Sequence, residues 1–170
     1  MSDQFEKYLE QYAELIVRVG LNIRAGQRLI IRVPVEGAQL ARLVTASAYR
    51  AGARLVDVLY SDEVATLARY KYAPRDSFTE FPAYRTQILE DHAREGDAML
   101  AIHAENPDLL KGQDPDLVAT AQKTLLQHAQ GYLQLTAKNN TNWLVVAMPI
   151  PSWAAKVFLG LQPEEQMQRL

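Results

Sequence analysis

Apolar residues along this chain recur in two rhythms, and the alternation between those rhythms outlines the fold. Phe5, Leu9, Tyr12, Ile16 and Val19 repeat at helical spacing, and Gly20 is placed to end that helix in a left-handed conformation. Leu29-Ile30-Ile31-Arg32-Val33 follows, too short for a helix and bounded by Gly26 and Pro34, so it predicts a buried strand. Leu40, Leu43, Val44, Ser47, Ala48 and Ala51 mark one face of a second helix closed near Gly52, and Leu55 to Tyr60 reads as the next strand. Strand, helix and strand within about thirty residues make a βαβ unit.

Ser61, followed by Asp62 and Glu63, predicts a helix start, because a hydroxyl caps free amides and carboxylates favour the positive helix end. That helix should stop before Pro74. Residues 71 to 81 then predict a long loop, with Pro82 opening a helix that runs to about Glu95 before Gly96. Ala98 to His103 predicts the third strand. Asp114-Pro115 is a cap and first turn for a helix with Val118, Ala121, Leu125 and Ala129 on one face, and Trp143 to Met148 predicts a fourth strand.

Continuously apolar strands separated by helices imply a parallel sheet covered on both faces. The predicted fold is therefore a three-layer α/β sandwich with a mainly parallel sheet of about four or more strands, Rossmann-like in outline. The dinucleotide fingerprint is missing: the first strand leads into Pro34-Val35-Glu36-Gly37, which offers an anion a carboxylate. A phosphate loop ending in Gly-Lys-Ser or Gly-Lys-Thr is missing as well.

Composition narrows the function classes. The 170 residues suit one compact domain, and 48% hydrophobic with 22% charged residues is ordinary for a globular chain. With 18 Lys and Arg against 20 Asp and Glu, no basic excess exists to neutralise nucleic acid or an anionic membrane. Cysteine is absent, which removes disulfides, thiolate metal sites and Cys nucleophiles together. The opening is too polar for a signal peptide, the longest apolar run is far short of a membrane span, and cytoplasmic location is the expectation.

Candidate chemistry is sparse. His92, His103 and His128 are the only histidines, and none sits in His-Glu-x-x-His or its inverse. His92 and Glu95 can share a helix face and hold one metal loosely, although a solvated charged face beside Glu90 and Asp91 accounts for them as well. His103 closes a strand, and ligands of parallel sheets gather at carboxyl strand ends, so Glu36, Asp62, His103 and Glu105 form a candidate cleft rim. Ordinary loop polarity is the competing reading. No Gly-x-Ser-x-Gly elbow exists, and Ser61 and Ser152 read as caps. Tyr70, Tyr72, Phe78, Phe81 and Tyr84 lack the interleaved basic residues of a base-stacking platform and read as packing.

Six blocks carry a family resemblance: Gly20 to Leu29, Val33 to Glu36, Ala48 to Ala53, Tyr60 to Glu63, Ala104 to Leu109 and Pro149 to Ala154. In order and in placement at strand ends they resemble the start of the thermophilic aminopeptidases, peptidase family M29. The resemblance implies hydrolysis of amino-terminal residues from peptides by two divalent metal ions, zinc, cobalt, manganese or magnesium, in a homodimeric parent enzyme. Paired metals polarise the scissile carbonyl and supply a bound hydroxide. The family's metal ligands lie in a carboxyl-terminal half, so none is carried onto a residue here. Residues 1–160 are then expected to form the amino-terminal α/β domain and 161–170 to begin a helix leading to a catalytic domain. The alternative is a stand-alone α/β domain that binds a ligand or partner without catalysis. Trp153, Val157, Phe158, Met167 and Leu170 are the candidates for an interface with that further domain.

Overall fold

The computed structural model describes residues 3–138 and 141–169. Four parallel strands, β1 (Arg28–Pro34), β2 (Leu55–Ser61), β3 (Ala98–His103) and β4 (Trp143–Ala147), form one sheet in the order β2-β1-β3-β4. Leu29 pairs with both Val56 and Ala98, and Met99 pairs with Trp143, so β1 and β3 are interior and β2 and β4 are edges. The α-helices are α1 (Asp3–Leu15), α2 (Ala38–Arg50), α3 (Glu63–Tyr72), α4 (Tyr84–Arg94), α5 (Pro115–Ala137), α6 (Pro151–Val157) and α7 (Pro163–Arg169).

Period-two alternation sorts each strand between two faces. Leu29, Ile31 and Val33 of β1, with Leu100 and Ile102 of β3, meet Leu9, Ile16, Leu40 and Val44 from the α1 and α2 side in the larger core. Ile30 and Met99 point the other way, to Leu89 and Ala93 of α4, in a smaller one. Each fully buried Leu, Ile or Val contributes about 1.5–3 kcal/mol, so the larger core carries most of the stability. Glu14 ties α1 to α2 on its rim: Arg50, then Arg18 and Ser47, hold its carboxyl at about 2, down from 4.5.

Helix ends follow local chemistry with four corrections to the sequence reading. Gly52 and Gly96 do take positive φ, as helix-closing glycines should. Gly20 does not; it ends a π-turn over Ile16–Gly20, where a Cβ would sit 2.5 Å from Leu144 Cδ2 and force that side chain to move. Asp62, not Ser61, caps α3 through its Oδ1, which accepts the Ala65 N–H at 2.9 Å, while Ser61 ends β2. Pro82 precedes α4, which begins at Tyr84, and a short 3-10 turn over Arg75–Thr79 occupies the predicted loop. On α5 the buried positions are Leu117, Thr124 and Ala129, whereas Leu125 is exposed. Thr124 can be buried because its hydroxyl donates to the Phe78 and Thr120 carbonyls.

The crossovers explain the sheet order. From β1 the chain moves outward to β2 over α2 on one face, then returns past β1 through α3 and α4 to β3, and on to β4 through α5. Direction reverses between β1 and β3. Their carboxyl ends form the switch point at which open α/β sheets present ligand-binding loops.

Candidate functional site

At the carboxyl end of the sheet, Gly37 follows β1 and lies against Ala104 after β3. A Cβ on Gly37 would stand 2.6 Å from Val33 Cγ2 and 3.4 Å from Ala104 Cβ, so the two loops close on each other beneath the rim. Glu36 stays exposed in the 3-10 turn over Val35–Gly37. His103 Nδ1 lies 3.0 Å from Glu105 Oε2, and that same oxygen accepts the Ala104 N–H at 3.1 Å. The Glu105 carbonyl in turn accepts Trp153 Nε1–H at 2.5 Å. Glu105 is thus held at backbone and carboxylate, and it fixes Nδ1 of a half-exposed His103.

Of the four rim residues predicted from sequence, the structure joins only His103 and Glu105. Asp62 sits at the same end but works as a helix cap, and Glu36 makes no hydrogen bond to the other three among the described residues. Glu63, which sequence reasoning passed over, reaches across from α3 and accepts the Asn106 backbone N–H. Nothing local signalled this contact, because Asn106 follows β3, two strands over from β2 and 43 positions away in sequence. Lys156 of α6 pairs with Asp108 at 2.6 Å and holds the Asp108 carboxyl below the usual carboxylate range.

His92 corrects the expectation of a solvated charged face. It is 8% exposed, and its Nδ1 lies 2.9 Å from Asp97 Oδ2, a close polar contact off the hydrogen-bond direction. Asp97 also takes Arg28 Nε at 2.8 Å, and Glu95 pairs with the same guanidinium. His92 and Glu95 therefore serve different partners at the amino end of the sheet. Among the described residues, no three His, Cys, Asp or Glu side chains group closely enough to hold a metal ion.

The predicted interface set divides. Trp153 packs against the larger core, and Phe158 and Met167 are half-buried where α6 meets α7. Val157 is 62% exposed, and Leu170 lies outside the described residues.

Fold and switch-point geometry define a doubly wound α/β domain whose carboxyl rim carries a fixed His–Glu pair. Comparison with known proteins makes the class specific. The family Thermophilic metalloprotease (M29) matches residues 5–170, and the chain belongs to it. Aminopeptidase 2 of Geobacillus stearothermophilus is 41% identical over 168 residues, which are 99% of this chain and 41% of that protein. Aminopeptidase T of Thermus thermophilus is 38% identical over the same shares. The solved structure of wild-type AmpT from Thermus thermophilus superimposes with a TM-score of 0.92 at 37% identity, covering 98% of this chain and 42% of that one. The chain spans about two-fifths of the length of these relatives.

Proposed function

We propose that this chain is the amino-terminal, non-metal-binding domain of a longer metal-dependent aminopeptidase that removes amino-terminal residues from peptides, and that it is inactive in isolation. The observation that carries the reading is the coverage: 99% of this chain matches aminopeptidases of which it represents 41%. Two divalent ions, in this reading, are held by the remainder of a homodimeric cytoplasmic enzyme. Among the described residues no helix is long and apolar enough to cross a membrane. Residues 161–170 lead toward that remainder.

The rim then shapes access to the catalytic centre. Glu36 and the His103–Glu105 pair face the side from which a peptide arrives, with Asp62 holding α3 beside them. In the full-length enzyme, Glu36→Gln or Glu105→Gln is expected to change KM and peptide-length preference more than metal content.

The direct test is an assay of the purified 170-residue chain with aminoacyl anilides and added zinc, cobalt or manganese. No turnover and no stoichiometric metal are expected. Metal-dependent turnover that survives repurification and disappears on substituting His92 and Glu95 overturns the reading.

A further inference from the structure

Interior strands of a parallel sheet are apolar on both faces, because helices cover both. β1 departs from that rule once: between Ile31 and Val33, both buried, stands Arg32, exposed on the α4 and α5 side of the sheet. Among the described residues no carboxylate pairs with it, and Asp57, which shares the face, is level with Ile30 rather than with Arg32. Tyr132 of α5 steadies the guanidinium instead. Its ring centre lies 5.5 Å from the Arg32 Cζ, and its hydroxyl accepts from Nη2 at 3.4 Å. A guanidinium placed over an aromatic ring keeps N–H groups free for a planar acceptor.

Strand register supplies the surroundings. Arg32 is level with Ala101 of β3, and Ala101 with Val145 of β4. His103 lies two residues further along β3 on the same face, about 8 Å from Arg32 by strand spacing, and Trp143 lies two residues before Val145. Trp143 and Val145 are both half-exposed and form an apolar shelf beside the charge. Between shelf and charge is a cavity of about 20 Å³, lined by Arg32, Tyr132, Ala101, Trp143 and Val145 among others. That volume admits a group the size of one water or one carboxylate oxygen pair, and no ring.

We propose that Arg32, backed by Tyr132, binds the free carboxylate of a short peptide whose carboxyl-terminal side chain is apolar and rests on Trp143 and Val145. The choice of a peptide rests on the reading that this chain belongs to an aminopeptidase; the carboxylate follows from the site itself. A carboxylate accepts two parallel N–H bonds from a guanidinium, and the shelf favours a ligand with an apolar arm over a bare inorganic anion. From Arg32 the same face leads to His103 and the carboxyl rim of the sheet. A peptide anchored here by its carboxylate therefore sends its amino end past the His103–Glu105 pair, and Arg32 measures the substrate from the end opposite the one that is cleaved.

NMR titration of the 170-residue chain with alanyl-leucine, alanyl-leucine amide and inorganic phosphate tests the inference. Alanyl-leucine is expected to move the Arg32 Nε–H and Trp143 indole signals, while the Trp153 indole, packed on the larger core of the opposite face, stays in place. The amide should bind at least about tenfold more weakly, as loss of a charge-assisted pair requires. Arg32→Gln should abolish the response and keep the melting temperature within a few degrees, because the exposed guanidinium pairs with no carboxylate of the fold. Arg32→Lys covers the case of a variant that does not fold: it keeps the charge without the fork and should still weaken binding at least about threefold. Equal binding of acid and amide, or undiminished binding in either variant, overturns the proposal. Phosphate moving the same signals at equal or lower concentration marks a general anion site and overturns it too. Binding is read without turnover, so a carboxylate that fails to bind sinks this inference alone, and turnover by the isolated chain sinks the reading of an inactive domain alone.

Discussion

The two ends of the sheet use charge in opposite ways. At the amino end Arg28, Glu95, Asp97 and His92 spend their polar atoms on one another, with Asp97 half a step under the surface and bonded to Arg28 at 2.8 Å. Gln27 adds a further tie by donating to the Gly96 carbonyl at 3.0 Å. At the carboxyl end Glu36 is unpaired among the rim groups, and the His103–Glu105 pair keeps atoms facing solvent. Both ends hold a histidine beside a carboxylate about 3 Å away, so residue type does not distinguish them. Burial does: a buried carboxylate held by Arg28 supports the fold, and an exposed pair at a switch point is available for a ligand.

The largest test of that contrast is Asp97→Ala. It strips Arg28 of its buried carboxylate partner and leaves His92 facing an empty space in a buried position, and removing one member of a buried ionic network costs about 3 kcal/mol. For a chain of this length the melting temperature should fall by roughly 9 °C. Urea denaturation checks the value, and a loss below about 1 kcal/mol would show that these charges hold the amino end no more firmly than solvated side chains do.

The second effect lies under the carboxyl rim. Gly37→Ala places a methyl 2.6 Å from Val33 Cγ2 and within 3.5 Å of Ile102 Cγ2, in a space walled by β1 and β3. Gly37 has φ −90°, so backbone strain plays no part and the cost is overpacking, about 2 kcal/mol. Because the clash pushes apart the loops that carry Glu36 and His103, it should also weaken peptide binding in a full-length enzyme. A neutral substitution would mean that the loops are not closed on each other and that the rim is looser than the contrast requires.

How much of this was readable in advance depended on the range of the interactions. The run Leu29-Ile30-Ile31, the closing glycines Gly52 and Gly96, and the Asp114-Pro115 cap act within a few residues, and each stands where the sequence predicts. The amino-end network was not legible, because Arg28 and Asp97 are 69 positions apart and only the β1–β3 pairing brings them together. His92 was misread for the same reason. The face of α5 was misassigned because Leu125 outranks Thr124 in hydrophobicity, while the partner that lets Thr124 be buried, the Phe78 carbonyl, lies 46 residues away. On the rim, strand ends located all four candidates, yet nothing local separated a capping carboxylate, Asp62, from one oriented toward a histidine, Glu105. Trp153 is apolar enough to read as an interface candidate, and nothing local reveals that its indole N–H donates to the Glu105 carbonyl, 48 positions away.

The smallest effect is the most informative about the rim. Glu105→Gln keeps an oxygen able to accept the Ala104 N–H and leaves the Trp153 bond to the backbone untouched, so only the charge beside His103 is lost. Both partners are about half exposed, and an exposed ion pair contributes less than about 1 kcal/mol. Stability should therefore change by no more than about 0.5 kcal/mol, far less than with Asp97→Ala. The histidine should nevertheless respond, because its Nδ1 loses a charged partner 3.0 Å away: the His103 ring signals should move in the NMR spectrum of Glu105→Gln while those of His92 stay in place. Should Glu105→Gln instead destabilise the chain by 2 kcal/mol or more, the carboxyl-end pair would be structural like its amino-end counterpart, and the division of labour between the two ends would fail.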